Sequence, residues 1–393
     1  MIVANLGLST ESKRPRAKLP IVLLAMVALL YWAPAIRAQE QWHIEVVDDG
    51  GGHDVGSFSA LAIDHDGDLH IGYNQAKNIL RYAYRGAHDQ QWYKMVVDPL
   101  GGTFISLAVD SNDKPHFAYN SLFLTGLHYA YWDGTRWTKE VIDAARTNHM
   151  TSIGMDASGN PRVSYYQEET PEGHFALLLK YAQFDGKTWY VQTLDHHITR
   201  GKFNSIAIDS SGNPHIAYSD QGIGDLRYTH FDGSTWDNGV PDSHRTENSY
   251  VGIGNSIALD STGNPVISYL DMSKRTVKLA RWTGKIWETE VVDHLVDVPS
   301  FADRVSLKLD SQNIPHVAFY DGGLGALKYA EKDDKGWHVE VVDNQGKVGL
   351  YPSLALDQNN QPYIAYYDAS AGQLKLTHRE PKAAASVAVT TKP

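Results

Sequence analysis

The sequence predicts an all-β fold, a seven-bladed β-propeller of four-stranded antiparallel blades whose N-terminal strand closes the last blade. Three observations predict it. One aspartate recurs as Asp64, Asp110, Asp156, Asp209, Asp260, Asp310 and Asp357, at intervals of 46, 46, 53, 51, 50 and 47 residues. Each unit alternates small and apolar residues with a period of two and is punctuated by Gly, Asn and Pro, which excludes helical repeats of similar length. A tryptophan marks the fourth strand of each unit, and the one missing after the seventh repeat is found at the N-terminus.

Within a repeat the strands follow in order. Strand A is the alternation before the aspartate, as in Ser205-Ile206-Ala207-Ile208 and Ser353-Leu354-Ala355-Leu356. A turn such as Ser211-Gly212-Asn213-Pro214 leads to strand B, seen in His215-Ile216-Ala217-Tyr218 and Tyr363-Ile364-Ala365-Tyr366. Strand C, as in Leu327-Lys328-Tyr329-Ala330, follows a short loop. A turn such as Asp232-Gly233-Ser234-Thr235 then precedes strand D, with Trp92, Trp137, Trp189, Trp236, Trp287 and Trp337. Nothing equivalent follows Leu374-Lys375-Leu376. Instead Gln41-Trp42-His43-Ile44-Glu45-Val46-Val47-Asp48 matches Gly336-Trp337-His338-Val339-Glu340-Val341-Val342-Asp343 in pattern. It is expected to complete blade seven, so that no blade edge is left free in sequence order.

Residues 1–38 are expected to be an export signal. Lys13, Arg14, Arg16 and Lys18 precede an apolar run from Leu19 to Ala33, and small residues allow cleavage after Ala38. The run is shorter than the roughly 20 apolar residues of a membrane span. Residues 39–379 are assigned to the propeller and 380–393 to a flexible tail. The expected product is a monomer, secreted or periplasmic, with no membrane association after cleavage. Losing five basic residues and one acidic residue takes the formal charge from -11 to -15. That charge opposes nucleic-acid binding, which depends on cationic contacts to phosphates, so no such partner is expected. Without cysteine there are no disulfides or thiolate metal sites. No Ser-His-Asp set, phosphate-binding Gly loop or dinucleotide fingerprint occurs, and neither a cofactor nor a metal is expected.

Repeats of the form Ser-x-Ala-x-Asp-x-x-Gly-x-Pro with a Tyr-rich second strand resemble the secreted bacterial propellers grouped with BNR-repeat and sialidase-superfamily proteins, over about residues 41–379. Some propeller polysaccharide lyases, ulvan lyases among them, have similarly written repeats. The resemblance implies the propeller fold. It carries over no site residue, because the sialidase Asp box is replaced by Asp133-Gly134-Thr135-Arg136-Trp137 and Asp185-Gly186-Lys187-Thr188-Trp189, with Asp and Gly adjacent.

If strand A runs downward, the A–B and C–D turns share a bottom face, and the B–C and D–A loops share a top face. The regular residues are expected to be structural: the repeat aspartates as turn acceptors, the tryptophans as interblade filling, and His116, His215 and His316 as packing. The irregular ones mark the candidate site. The B–C loop of repeat three spans Glu168 to Leu178, longer than its equivalents. At the top of strand B, repeats one to three carry Gln75, Ser121 and Gln167, whereas the others carry Asp220, Asp271, Asp321 and Asp368. Arg200, Lys202, Arg245, Lys274, Arg275 and Arg304 are expected near this half of the rim. So are His149, His196, His197, His244 and His294, with Tyr166, Tyr250, Tyr320, Tyr351 and Tyr367. Tyrosine faces pack on sugar rings, Arg forks pair with carboxylate or sulfate, and Asp accepts hydroxyl protons. The expected partner is therefore an oligo- or polysaccharide at one asymmetric top-face site. The ligand-binding candidates are Asp220, Asp271, Asp321, Asp368, Arg200, Arg245, Arg304, Tyr166 and Tyr367.

Two enzymatic alternatives use the same face. In β-elimination of a uronate, an Arg would neutralise the carboxylate and His149, His196, His197, His244 or Tyr320 would exchange protons. In glycoside hydrolysis, two rim carboxylates would act together. A protein-interaction scaffold is the third expectation.

Overall fold

A computed structural model describes residues 40–76, 78–121, 126–145, 148–169, 176–195, 200–243, 250–297 and 304–381. The expected export signal lies outside these residues, as does the expected tail beyond residue 381. Every repeat forms one antiparallel four-stranded sheet. Blade four shows the plan, with strands Arg200–Ile208, Pro214–Asp220, Asp225–Phe231 and Trp236–Asp242. Seven such sheets are present. The single helical element among the described residues is a 3-10 turn at Gly50–Gly52. No helix among them is long and apolar enough to cross a membrane.

Burial grades outward along each sheet. Strand B of blade four, Pro-His-Ile-Ala-Tyr-Ser-Asp, is buried at every position. Strand D exposes Asp237, Asn238 and Val240 and buries Pro241. A central strand flanked by neighbouring blades must be apolar on both faces, whereas the rim strand can alternate. The hydrophobic core therefore lies between blades. One such layer joins Ala217, Leu226 and Tyr228 of blade four to Val251, Ile267 and Tyr269 of blade five. Five of the layers are capped by a strand D indole set edge-on against a strand C tyrosine of the preceding blade, as in Trp189 on Tyr129 (5.1 Å) and Trp287 on Tyr228 (5.2 Å), whereas Leu279 and Leu376 stand at the tyrosine position of blades five and seven.

The repeat aspartates hold the bottom turns. Asp209 Oδ1 accepts the backbone N–H groups of Ser211 (2.8 Å) and Asn213 (2.7 Å), and the other six repeats place the same two bonds on their own aspartate. The strand B histidines link that turn to strand C. His70 contacts Asp64 at 3.0 Å and the Tyr82 hydroxyl at 2.7 Å, and His116, His215 and His316 repeat the bridge.

Strand A is the inner edge of every blade, and an unpaired N–H of this edge is satisfied by a serine of the preceding blade. Ser353 Oγ accepts the Leu61 N–H at 2.8 Å, Ser106 that of Ile153 at 3.0 Å, and Ser306 that of Leu354 at 2.9 Å. This requirement explains why serine recurs four residues before the aspartate.

β1 (Glu40–Asp48) joins the last sheet beside β28 (Gln373–Pro381), as expected from its match to residues 336–343. β28 extends two residues past the expected boundary at 379. Thr377 Oγ1 donates to the His43 carbonyl at 2.8 Å, and Trp42 Nε1 donates to Glu340 at 2.8 Å. Arg379, 7% exposed, stacks over Trp42 and pairs with Glu331 (3.1 Å) and Glu340 (3.2 Å), so the closing strand is fastened to blade six as well as to its own sheet.

Candidate functional site

Six residues before each repeat aspartate, strand A enters from the top face. These positions are Phe58, Phe104, Met150, Phe203, Gly254, Arg304 and Tyr351. Phe58, Phe104, Met150, Phe203 and Tyr351 adopt left-handed backbone with φ of 56°, 51°, 46°, 52° and 51°, and Gly254 has φ of 59°. Bulky residues are strained there by about 1 kcal/mol or more each. The strain accompanies a bulge in strand A, seen as register shifts at Ser57/Ala60, Thr103/Ser106, Lys202/Ser205 and Leu350/Ser353. The neighbouring blade locks it. Ser59 donates to the Tyr351 carbonyl (2.6 Å), Thr151 to that of Phe104 (2.7 Å) and Asn204 to that of Met150 (2.7 Å).

These bulges bring residues of all seven blades around an axial cavity of about 190 Å³. Phe58 lies 5.1 Å from Phe104 and 4.7 Å from Tyr351, ring to ring. Among the described residues of this ring, Arg304 is the only cation. It is half-buried by area but enclosed by the channel, which pushes its guanidinium pKa down against the opposing influence of Tyr351. Lys308, also on the channel wall, stands where the other repeats have Ala or Gly. Its side chain is exposed to the channel, and the same enclosure lowers its pKa. Sequence reasoning missed this ring because the bulge has no composition of its own; alignment on the repeat aspartate would have exposed it.

The expected residues divide into three groups. Tyr367 donates to Asp54 at 2.8 Å where blades seven and one meet, and its ring lies 6.5 Å from Tyr351. Burial, then Asp54, raises the Tyr367 pKa. Tyr166 is 5% exposed, carries the Lys202 ammonium over its ring at 5.7 Å, and has its pKa raised by burial and by Glu168. Tyr320 is also buried, at 5% exposure. The long connection of repeat three is partly strand, because Glu168 and Glu169 pair with Leu177 and Ala176.

The four rim aspartates sit just beneath the surface, 2%, 1%, 0% and 3% exposed for Asp220, Asp271, Asp321 and Asp368. Each accepts a backbone N–H of its own B–C turn, from Gly222 (3.1 Å), Lys274 (3.1 Å), Gly323 (3.2 Å) and Ser370 (3.0 Å). Three face a strand C cation: Arg227 lies 3.6 Å from Asp220, Lys328 3.6 Å from Asp321 and Lys375 2.7 Å from Asp368. Burial works against the Lys375 charge, but Asp368 and Asp343 outweigh it and raise its pKa. Thus held, none of these carboxylates is open to solvent as a general acid or base.

His196, His197, His244 and Arg245 lie outside the described residues. His149 and Arg200 are placed only by backbone register, opposite Tyr166 and Asp220. Among the described residues no group of three or more His, Asp or Glu is arranged to hold a metal ion.

A second aspartate series also escaped the sequence reading. Asp48, Asp98, Asp143, Asp195, Asp242, Asp293 and Asp343 end strand D in every blade. Six of them accept a buried strand B tyrosine hydroxyl from the following blade, for example Tyr73 on Asp48 (2.6 Å), Tyr119 on Asp98 (2.7 Å) and Tyr366 on Asp343 (2.7 Å). In the remaining blade Phe319 replaces the tyrosine and Lys328 pairs with Asp293 instead.

No family model matches the chain, and no curated protein is significantly similar to it. Solved structures do resemble it. An ulvan lyase of a polysaccharide lyase family, bound to a saccharide of GlcA and sulfated rhamnose, superposes with a TM-score of 0.57 at 13% identity, over 82% of this chain and 93% of that one. A lectin from Burkholderia pseudomallei gives 0.57 at 12% identity, over 72% and 84%. The lectin of Aleuria aurantia, in complex with a fucosyl-GlcNAc disaccharide, gives 0.50 at 15% identity, over 74% and 96%. These are likenesses of fold, and they agree with the propeller expected from the repeats.

Proposed function

We propose that the chain is an exported glycan-binding propeller with one asymmetric site, the mouth of the axial channel on the top face, which takes an anionic oligo- or polysaccharide. The observation that carries this reading is Arg304, a lone cation set in a ring of aromatic and apolar side chains to which every blade contributes one position. A guanidinium pairs two-pronged with carboxylate or sulfate, and the rings of Phe58, Phe104 and Tyr351 offer faces for sugar C–H groups. Tyr367 would extend the site along the rim, with Tyr166 packed beneath it. Asp220, Asp271, Asp321 and Asp368 would position it from below, by fixing the B–C turns. The saccharides bound in the named ulvan lyase and in the Aleuria aurantia lectin support the class of partner.

A second reading, β-elimination of a uronate, is favoured by the placement of Arg304 next to Tyr351 and by the lyase likeness. Neutralising the carboxylate lowers the cost of removing the C5 proton, and a nearby tyrosine or one of the top-face histidines would exchange it.

The test is retention of neutral and anionic polysaccharides by the purified protein, with unsaturated products followed in parallel. Arg304→Ala is expected to lose roughly ten- to a hundred-fold in affinity for the anionic ligands, the worth of a charge-assisted hydrogen bond, with its melting temperature kept. Unchanged retention would sink the placement. Product formation would replace pure binding with the lyase reading.

A further inference from the structure

The tryptophans of strand D are tied to the preceding blade by a repeated bond. The indole N–H of Trp92 donates to Glu45 (3.2 Å), that of Trp189 to Glu140 (3.0 Å) and that of Trp42 to Glu340 (2.8 Å); Trp137 reaches Met95 Sδ at 3.2 Å. The acceptor always lies three residues after the tryptophan of its own blade. Along the seven repeats this position is Glu45, Met95, Glu140, Gln192, Gly239, Glu290 and Glu340. Blade four alone has no side chain there.

The backbone does not require this glycine. Gly239 lies inside the strand Trp236–Asp242, outside the left-handed region. A Cβ built on it would meet Trp287 Nε1 at 3.4 Å and Tyr228 Cδ1 at 3.6 Å, both ordinary contacts. What the glycine leaves is an open cavity of about 300 Å³ between blades four and five, at the bottom face and away from the channel mouth. In blade five the bond is also lost, but a side chain remains at the position: Glu290 turns to Lys332, and Trp337 Nε1 is buried without a partner.

The walls of the blade four cavity have a definite chemistry. Trp287 and Trp282, 5.5 Å apart, provide aromatic faces. Trp287 Nε1 stands beside Gly239, where no side chain can accept its N–H, and His230 Nδ1 is buried without a hydrogen-bond partner. His230 stacks on His215 at 5.3 Å, and burial with that neighbour pushes His215 down to about 4, so it is uncharged at neutral pH. Asp237 and Asn238 stand at the rim.

We infer that this cleft is a second carbohydrate site, which takes a single neutral pyranose unit. Its apolar face would stack on the indoles, and its hydroxyls would accept from Trp287 Nε1–H and donate to Asp237. The volume suits one sugar ring, near the lower end of ligand pockets at about 300–1,000 Å³. A carboxylated or sulfated unit would meet the Asp237 carboxylate with no described cation on the wall to offset it. The site is independent of the channel mouth and stands if that reading fails.

The test is intrinsic tryptophan fluorescence during titration with methyl glycosides of neutral hexoses and deoxyhexoses. The wild-type protein is expected to show a saturable change. Gly239→Glu restores the acceptor found in other blades, so it is expected to raise the melting temperature and abolish the change. Arg304→Ala, on the opposite face, is expected to keep it. No response to any of these glycosides, or an undiminished response in Gly239→Glu, would overturn the site. Should Gly239→Glu fail to fold, Trp282→Leu on the outer wall decides the matter, and a full response in that variant would likewise overturn it.

Discussion

His215 shows how one side chain serves both a turn and a sheet. Its Nδ1 faces the Tyr228 hydroxyl at 2.6 Å and its Nε2 faces Asp209 at 3.8 Å. Burial is the first cause of its lowered pKa, about 4 against an ordinary 6.5, followed by the charge of His230. The folded state therefore takes up this proton less readily than the unfolded chain. Stability from this group is full above pH 6.5 and is lost as pH falls through about 4, on the order of 3 kcal/mol in total. Blade five already carries Val266 at this position. His215→Val should cost about 1–3 kcal/mol at neutral pH, because the Tyr228 hydroxyl loses its partner, and that deficit should narrow toward pH 4. Urea unfolding at the two pH values measures it; a deficit that does not change with pH would assign the acid sensitivity elsewhere. The histidine was legible as a packing residue because it recurs at one strand position. Its partners were not, since Tyr228 lies thirteen residues away on another strand. The strand D aspartates were harder still, because their tyrosines belong to the next blade and nothing within one repeat pairs them.

At the scale of elements, strands and turns were legible because period-two alternation and Asp-x-x-Gly turns are local. The bulges that open strand A were not, since a bulge changes register without changing composition. They decide the candidate site by turning one residue of each blade toward the axis, so Arg304 and Tyr351 were expected near the rim while Phe58, Phe104 and Phe203 went unseen. Asp220, Asp271, Asp321 and Asp368 were legible as an uneven series, but the sequence could not show that each is engaged by its own turn. β1 is the element with the sharpest stability consequence. Deleting residues 41–48 removes Trp42 and the partner edge of β28, and leaves Arg379, Glu340 and Glu331 with a broken cluster. The expected result is a substantially lower melting temperature and concentration-dependent association through the bared strand, seen by calorimetry and size-exclusion chromatography. An unchanged melting temperature would show that this strand does not close the ring.

For the whole molecule, the sevenfold plan makes each blade a neighbour-bonded unit, and the exceptions to it carry the functional interest: Arg304 in blade six, Gly239 in blade four and the extended hairpin of blade three. The plan also implies that the position of the chain ends is open to change. A permuted chain that joins Glu380 to Trp42 through a turn such as Asp232-Gly233-Ser234-Thr235, and begins after Asp98, keeps all seven sheets. It should fold, with a lower unfolding midpoint, because blades one and two would then meet through side chains and edge contacts alone. Circular dichroism and denaturant titration check this, and a permutant without native signal would show that the natural ends are essential. The natural arrangement has a further effect on how the chain comes into being. His43 and Thr377, which bond in the last sheet, are 334 residues apart. The first strand to be synthesised must wait, unpaired, for nearly the last. Although joining such distant ends costs little more entropy than joining nearer ones, the delay itself is unavoidable. Only a chain translated through residue 381 can finish the circle, so a product that stops before it betrays itself by two bare edges.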